Sequence, residues 1–191
     1  MNLNELSDRA YKTACEHGWH DEEYSNEHFL CLVISELMEA VNADRKGRHA
    51  DVAKFKEWQG NSIPLTEETR LRRFKEDFDA YIKDSVEDEL SDVVIRCLDL
   101  AGLKEIYLPT LSCINDPAWK KESFNVPFTE FVYCLCRLLL DERSILYERI
   151  YNAIVHIFVY CRFKGIEIDW FIQQKMQYNE LRPYKHGNKK Y

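Results

Sequence analysis

Two short segments of this chain place acids three residues apart: Glu36-Leu37-Met38-Glu39-Ala40-Val41 and Glu89-Leu90-Ser91-Asp92-Val93-Val94. Both follow one pattern of acid, leucine, any residue, acid, small apolar residue, valine. At about 100° per residue, the two acids of each hexapeptide fall within one quadrant of a helix, with Leu37 and Leu90 beside them on the apolar stripe. Each pair therefore borders the core. Packed side by side, the two helices bring four carboxylates together at the lip of a bundle. Like charges at this spacing repel by about 0.2–0.5 kcal/mol when exposed, and by more once desolvated. A hard divalent cation relieves that repulsion, because an all-oxygen set suits Mg2+ or Mn2+ and offers little to softer metals. Glu36, Glu39, Glu89 and Asp92 are thus the candidate metal ligands. With 33 acidic residues in the chain, single pairs at this spacing also arise by chance. The repeated hexapeptide, at one offset from two apolar stripes, is what sets these apart.

Other metal and phosphate chemistries lack their residues. Di-iron bundles use Glu-x-x-His, and none of the six histidines has a Glu three residues before it. There is no His-Glu-x-x-His and no Gly-x-x-x-x-Gly-Lys phosphate loop. Acids alone would repel an anionic substrate, so cations must accompany them. The C-terminal stretch supplies Lys175, Arg182, Lys185, Lys189 and Lys190 against a single Glu180. Arg182 can fork onto phosphate oxygens, and Lys175, Lys185 and Lys189 can act as point charges. Tyr178, Asn179 and Tyr184 interleave with them as candidates for phosphate or base contacts. Arg45, Lys46 and Arg48 are weaker candidates, since a helix C-terminus favours cations in any case. Trp19, Trp58 and Phe29 could sandwich a base, although large aromatics on helices are more often core.

The elements that must position these groups are helical. An apolar fraction of 46% with 31% charged residues, 6 Gly and 5 Pro describes a folded chain poor in turns. The pattern predicts helices over 2–17, from Ser25 or Asn26 to about Lys46, from Thr66 to about Lys83, and over 86–101 after an N-capping Ser85 and before Gly102. Residues 48–64, with Gly60 and Pro64, read as a partly ordered connection. Pro109, Pro117 and Pro127 mark a second one between Leu103 and Pro127. An apolar helical pair follows over 128–140 and 142–164, closed by Gly165. A last helix is expected to start at an N-capping Asp169 and to stop before Pro183. The expected fold is a single all-α bundle spanning 1–191.

Charge and hydropathy exclude several classes. A net charge of −7 argues against a non-specific nucleic-acid binder, which carries a basic stripe. The longest uncharged stretch, 150–161, is too short for a bilayer core that needs about 20 apolar residues, so no membrane role is expected. The N-terminal residues lack an apolar signal core. The seven cysteines are odd in number, and most sit in apolar helical runs, which fits reduced core thiols and a cytoplasmic setting.

Glu36-x-x-Glu39 followed by Glu89-x-x-Asp92 resembles the ExxE…ExxD signature of the MazG-like and dimeric dUTPase-like all-α nucleoside triphosphate pyrophosphatases. The run from Glu36 to Arg48 is similar to that family's metal helix with a basic exit. Lys175-Met-Gln-Tyr-Asn179, Arg182-Pro-Tyr-Lys-His-Gly187 and Lys189-Lys-Tyr191 resemble the C-terminal motif of a MazG-like subgroup. The resemblance covers about 26–48, 84–103 and 170–191. It implies Mg2+-dependent hydrolysis of a nucleoside triphosphate at the α-phosphorus, giving the monophosphate and pyrophosphate in nucleotide-pool house-cleaning, with Glu36 or Glu39 as the proton acceptor. A dUTP/dUDP-selective hydrolase is the alternative within the family, and a non-catalytic helical interaction protein is the alternative outside it. A homodimer is one expected assembly. Residues 103–165 match nothing in the family, and helices 128–140 and 142–164 are expected to supply bundle partners that compact relatives take from a second subunit.

Overall fold

The computed structural model describes residues 2–57, 66–188 and 190. Every regular element among them is helical. In chain order these are α1 (Leu3–Glu16), α2 (Asn26–Arg45), α3 (Val52–Glu57), α4 (Glu67–Tyr81), α5 (Val86–Leu103), α6 (Phe128–Leu139), α7 (Leu146–Lys164) and α8 (Ile168–Glu180), followed by a single helical turn, Lys185–Asn188. Two 3-10 segments, Leu111–Asn115 and Lys121–Phe124, occupy the proline-marked connection.

Local chemistry accounts for the boundaries. The side chains of Ser25, Thr66 and Ser85 accept hydrogen bonds from the backbone N–H of His28, Thr69 and Asp88, satisfying donors that the first turn leaves without helical partners. Gly165 ends α7 at φ 74°, a left-handed cap conformation that glycine adopts without steric cost. Three expected boundaries are corrected. The helix expected from 142 begins at Leu146, after a turn in which the Arg143 side chain donates to Asp141. Asp169 does not cap α8: the helix begins at Ile168 behind Glu167, and Asp169 sits in its first turn, where a negative charge suits the dipole. Gly102 does not close α5, which runs on to Leu103.

The bundle is organised around α5. Val86, Leu90, Val93, Val94, Cys97, Leu98, Leu100 and Ala101 are all buried, so the helix is covered on most sides. It packs against α1, α2, α7 and α8, while α6 packs on α2 and α7. Burying such side chains stabilises the fold by about 1.5–3 kcal/mol each. The connection expected over 48–64 contains α3, pinned by a fully buried Phe55 that meets Phe74, Phe78 and Trp170 edge to face. Trp58, Gly60 and Pro64 lie outside the described residues. The cysteines are all unpaired, and only some are core: Cys97 and Cys161 are buried, whereas Cys31 and Cys134 are exposed. Among the described residues no helix is long and apolar enough to cross a membrane.

Candidate metal centre and cleft

Glu36 pairs with Arg96, while Phe29, two turns earlier on α2, meets His20, the partner of Asp99 near the end of α5. The two helices therefore run past each other in opposite directions, and the two acid motifs face one another. Ligand oxygens of Glu36, Glu89 and Asp92 lie within 4.8 Å of one another. Oxygens around a magnesium ion bound at about 2.1 Å are at most about 4.2 Å apart, so small side-chain adjustments bring this trio into range. Glu39, the fourth expected ligand, lies outside that group: it is exposed and borders the same cleft one turn further along α2.

The electrostatics of the trio mark a site short of positive charge. Glu36 and Glu89 are almost fully buried. Burial, then Asp92 and Asp88, pushes the Glu89 carboxyl up to about 9 against the opposing pull of Lys175. Burial likewise raises Glu36, with Asp92 and Glu39 adding to it, although the Arg96 Nε donates to its Oε1 at 2.5 Å. Asp88 is 1% exposed and rises to about 6, again chiefly through burial. Four carboxyl groups, Glu36, Asp88, Glu89 and Asp92, thus share two cations, Arg96 and Lys175, and the upward shift of Glu89 keeps a proton there near neutral pH. A divalent cation suits what remains, and the donors are hard oxygens throughout.

Lys175 departs from its expected role. It belongs to α8 rather than to a solvent-facing tail, is 4% exposed, and holds Asp88 at 2.8 Å and Asp92 at 2.8 Å through Nζ. Burial favours its neutral form, but the two acids overcome this and raise its pKa, keeping the ammonium charged. Its charge is spent on the carboxylates.

The trio opens on a cleft of about 560 Å³. Arg182 and Asn179 line it, as do Trp19 and Phe29. The Oδ1 of Asn179 is buried and meets no protein donor among the described residues. Tyr178 is not at the cleft: it is buried, stacks on Phe78 with ring centroids 4.3 Å apart, and donates its hydroxyl to Asp79 Oδ1 at 2.6 Å. Tyr184 is exposed and donates to Asp21 instead. Lys185 donates its backbone N–H to the His17 carbonyl and sets its side chain by the Tyr184 ring, away from the cleft walls. Lys189 lies outside the described residues. The basic exit of α2 is turned elsewhere too, with Arg48 donating to the Lys83 carbonyl at 2.6 Å. Lys83 itself lines the cleft.

Arg96, Asp88, Lys83 and Asp99 escape the sequence reading. Arg96 and Asp99 have a local signal, since they follow Asp92 by four and seven residues on one helix face. Asp88 and Lys83 reach the site through tertiary packing. No family model, no curated protein and no solved structure matches the chain.

Proposed function

We propose that this protein is a divalent-metal-dependent nucleoside triphosphate pyrophosphohydrolase that attacks the α-phosphorus and releases a nucleoside monophosphate and pyrophosphate. One observation carries the reading: three clustered carboxylates with too little countercharge open on a cleft whose other walls present Lys83, Arg96 and Arg182. It rests on the same acid motifs that resemble those of the MazG-like pyrophosphatases.

Glu36, Glu89 and Asp92 would hold Mg2+ or Mn2+, with Glu39 at the rim. The metal, when bound, supplies Lewis acidity toward the phosphate oxygens and a more acidic water. The chain supplies the rest. Arg182 and Lys83 offset the charge of the polyphosphate, and Arg182 can do so through paired N–H donors. Asn179 carries a side-chain amide at the same wall. Of the two carboxylates considered as proton acceptor, Glu36 is engaged by Arg96, so Glu39 is the one left to take the proton of the attacking water. Lys175 and Arg96 position Asp92 and Glu36 and need not touch substrate.

The test is a panel of ribo- and deoxyribonucleoside triphosphates, incubated with Mg2+ and scored separately for pyrophosphate and orthophosphate. Pyrophosphate with the monophosphate is expected. Orthophosphate would place the attack elsewhere, and no turnover together with no Mg2+-induced rise in Tm would overturn the reading.

A further inference from the structure

The cleft has two chemically distinct ends, set by the face of α5 that lines it. Glu89, Asp92, Arg96 and Asp99 recur along that helix at three, four and three residues, and all four border the cleft. Asp99 lies seven residues beyond Asp92, about 10 Å along the helix axis at 1.5 Å per residue. That is the scale separating the α-phosphate of a nucleotide from the far edge of its base. The walls change character over the same distance. Trp19, His28, Phe29 and Leu32 surround the Asp99 end, and the turn beyond α8 adds His186, whose ring meets Trp19 edge to face at 5.0 Å.

Asp99 is the carboxylate of this aromatic-rich end, one helical turn beyond Arg96, whose charge it faces, and it is held in place. His20 Nε2 lies 2.7 Å from its Oδ1, and the His20 ring is wedged between Tyr11 and Phe29 at centroid distances of 5.2 and 5.6 Å. An ionised carboxylate only accepts hydrogen bonds and has about four lone-pair sites, so the bond from His20 leaves acceptor capacity facing the cleft.

We infer that Asp99, fixed by His20, is a specificity-determining acceptor that selects nucleotides whose base carries an exocyclic amine. The inference rests on the nucleotide-hydrolase reading above. Adenine, cytosine and guanine present N–H donors at that edge. Thymine and uracil set carbonyl oxygens on both sides of their single ring N–H, and a partly buried carboxylate repels them. A site that hydrogen-bonds one partner discriminates against the analogue lacking it because the protein group is left unpaired. His20 acts through Asp99 and is a positioning residue.

The experiment measures kcat/KM for dATP, dCTP, dGTP, dTTP and dUTP with Mg2+, in the wild type and in D99N. The amide introduced by that substitution would retain an oxygen for His20 while turning an N–H donor into the cleft. The wild type is expected to favour the three amino-bearing bases by tenfold or more, and D99N to erase or invert that ratio. Equal kcat/KM across all five nucleotides, or a D99N variant that slows all five alike, would overturn the inference and leave the hydrolase reading standing. Binding of AMP, CMP, UMP and TMP, followed by NMR shifts of the Trp19 indole, separates the two claims. Selective AMP and CMP binding without turnover of any triphosphate would keep the Asp99 site and remove the hydrolase. No selective binding and no turnover would remove both. Should D99N fold poorly, H20Q serves as the second variant, with the base preference expected to weaken in the same direction.

Discussion

Lys175 Nζ lies 2.8 Å from Asp92 Oδ2, tying α8 to the second acid motif at the floor of the cleft. The same ammonium contacts both oxygens of Asp88, at 2.8 and 2.9 Å, in a setting from which water is nearly excluded. Removing one partner of a buried ion pair strands the other charge and typically costs about 3–5 kcal/mol. Lys175→Met is therefore expected to lower the urea midpoint severely. Adding Asp88→Asn should recover part of the loss by removing one stranded acid. A midpoint unchanged in the single variant would show that the cluster is solvated after all.

The raised pKa of Glu89 fixes the direction of a pH effect. Its carboxyl moves from about 4.5 to about 9 on folding, so between those values the folded chain holds a proton that the unfolded chain has released. Stability without metal is full below that window and is lost as pH rises through it. A bound divalent cation offsets the same charge and displaces the same proton. The Mg2+-induced rise in Tm should therefore grow from pH 5 to pH 9, and Glu89→Gln should flatten both trends. Differential scanning fluorimetry across that range, with EDTA and with Mg2+, reads both.

Glu39 and Asp92 carry equal weight in the sequence pattern but occupy different positions. Asp92 belongs to the three-acid group, whereas Glu39 is exposed at the cleft wall. Asp92→Asn is expected to abolish the Mg2+-induced rise in Tm together with turnover. Glu39→Gln should retain most of the thermal response while lowering kcat by about 10²–10⁴, the usual contribution of a general base. Loss of the thermal response in both variants would make Glu39 a ligand rather than a base.

The helical class and the two acid-bearing helices are legible in the sequence because each writes itself locally. Ser25, Thr66 and Ser85 are capping residues in sequence and in structure, and the 3.6-residue period fixes which way Leu37 and Leu90 point. What requires the fold is the partnership of groups far apart in the chain. Lys175 reads as part of a basic tail, because nothing near it in sequence shows that α8 presses it against Asp88 and Asp92. Tyr178 reads as a base-contacting residue, yet its ring faces Phe78 and its hydroxyl meets Asp79. Composition cannot separate a cation that binds substrate from one that balances a buried acid. Gly102 misleads for a related reason. Near a helix end it resembles a cap, but its work is across the bundle.

That work can be measured. A Cβ on Gly102 would lie 2.7 Å from Tyr11 Cβ and 3.1 Å from the Ser7 carbonyl oxygen. Alanine improves helix propensity by about 1 kcal/mol. Overpacking a tight contact costs about 1–3 kcal/mol, and here the obstacles are atoms on or next to the backbone of α1 that cannot swing aside. The clash outweighs the propensity gain. Gly102→Ala should lower stability by up to about 2 kcal/mol in urea unfolding, and a stabilised variant would mean that α1 and α5 can slide apart freely.

The C-terminal segment separates substrate binding from folding, provided it is cut at the right place. Ending the chain before Met176 would remove Met176 and Tyr178, both buried in the core, and would be expected to unfold the protein. Ending it after Leu181 spares α8 and removes Arg182, whose side chain borders the cleft. It also removes two backbone ties to His17, whose Nε2 lies 2.8 Å from the Arg182 carbonyl and whose own carbonyl accepts from Lys185. Hydrogen bonds to charged groups contribute about 1.5–3 kcal/mol, so losing the Arg182 contact with a polyphosphate should raise KM about tenfold or more. Metal binding relies on α2 and α5 and should persist, visible as an unchanged Mg2+-induced rise in Tm. A KM equal to that of the full chain would remove Arg182 from the substrate site and leave the polyphosphate to Lys83 and the metal.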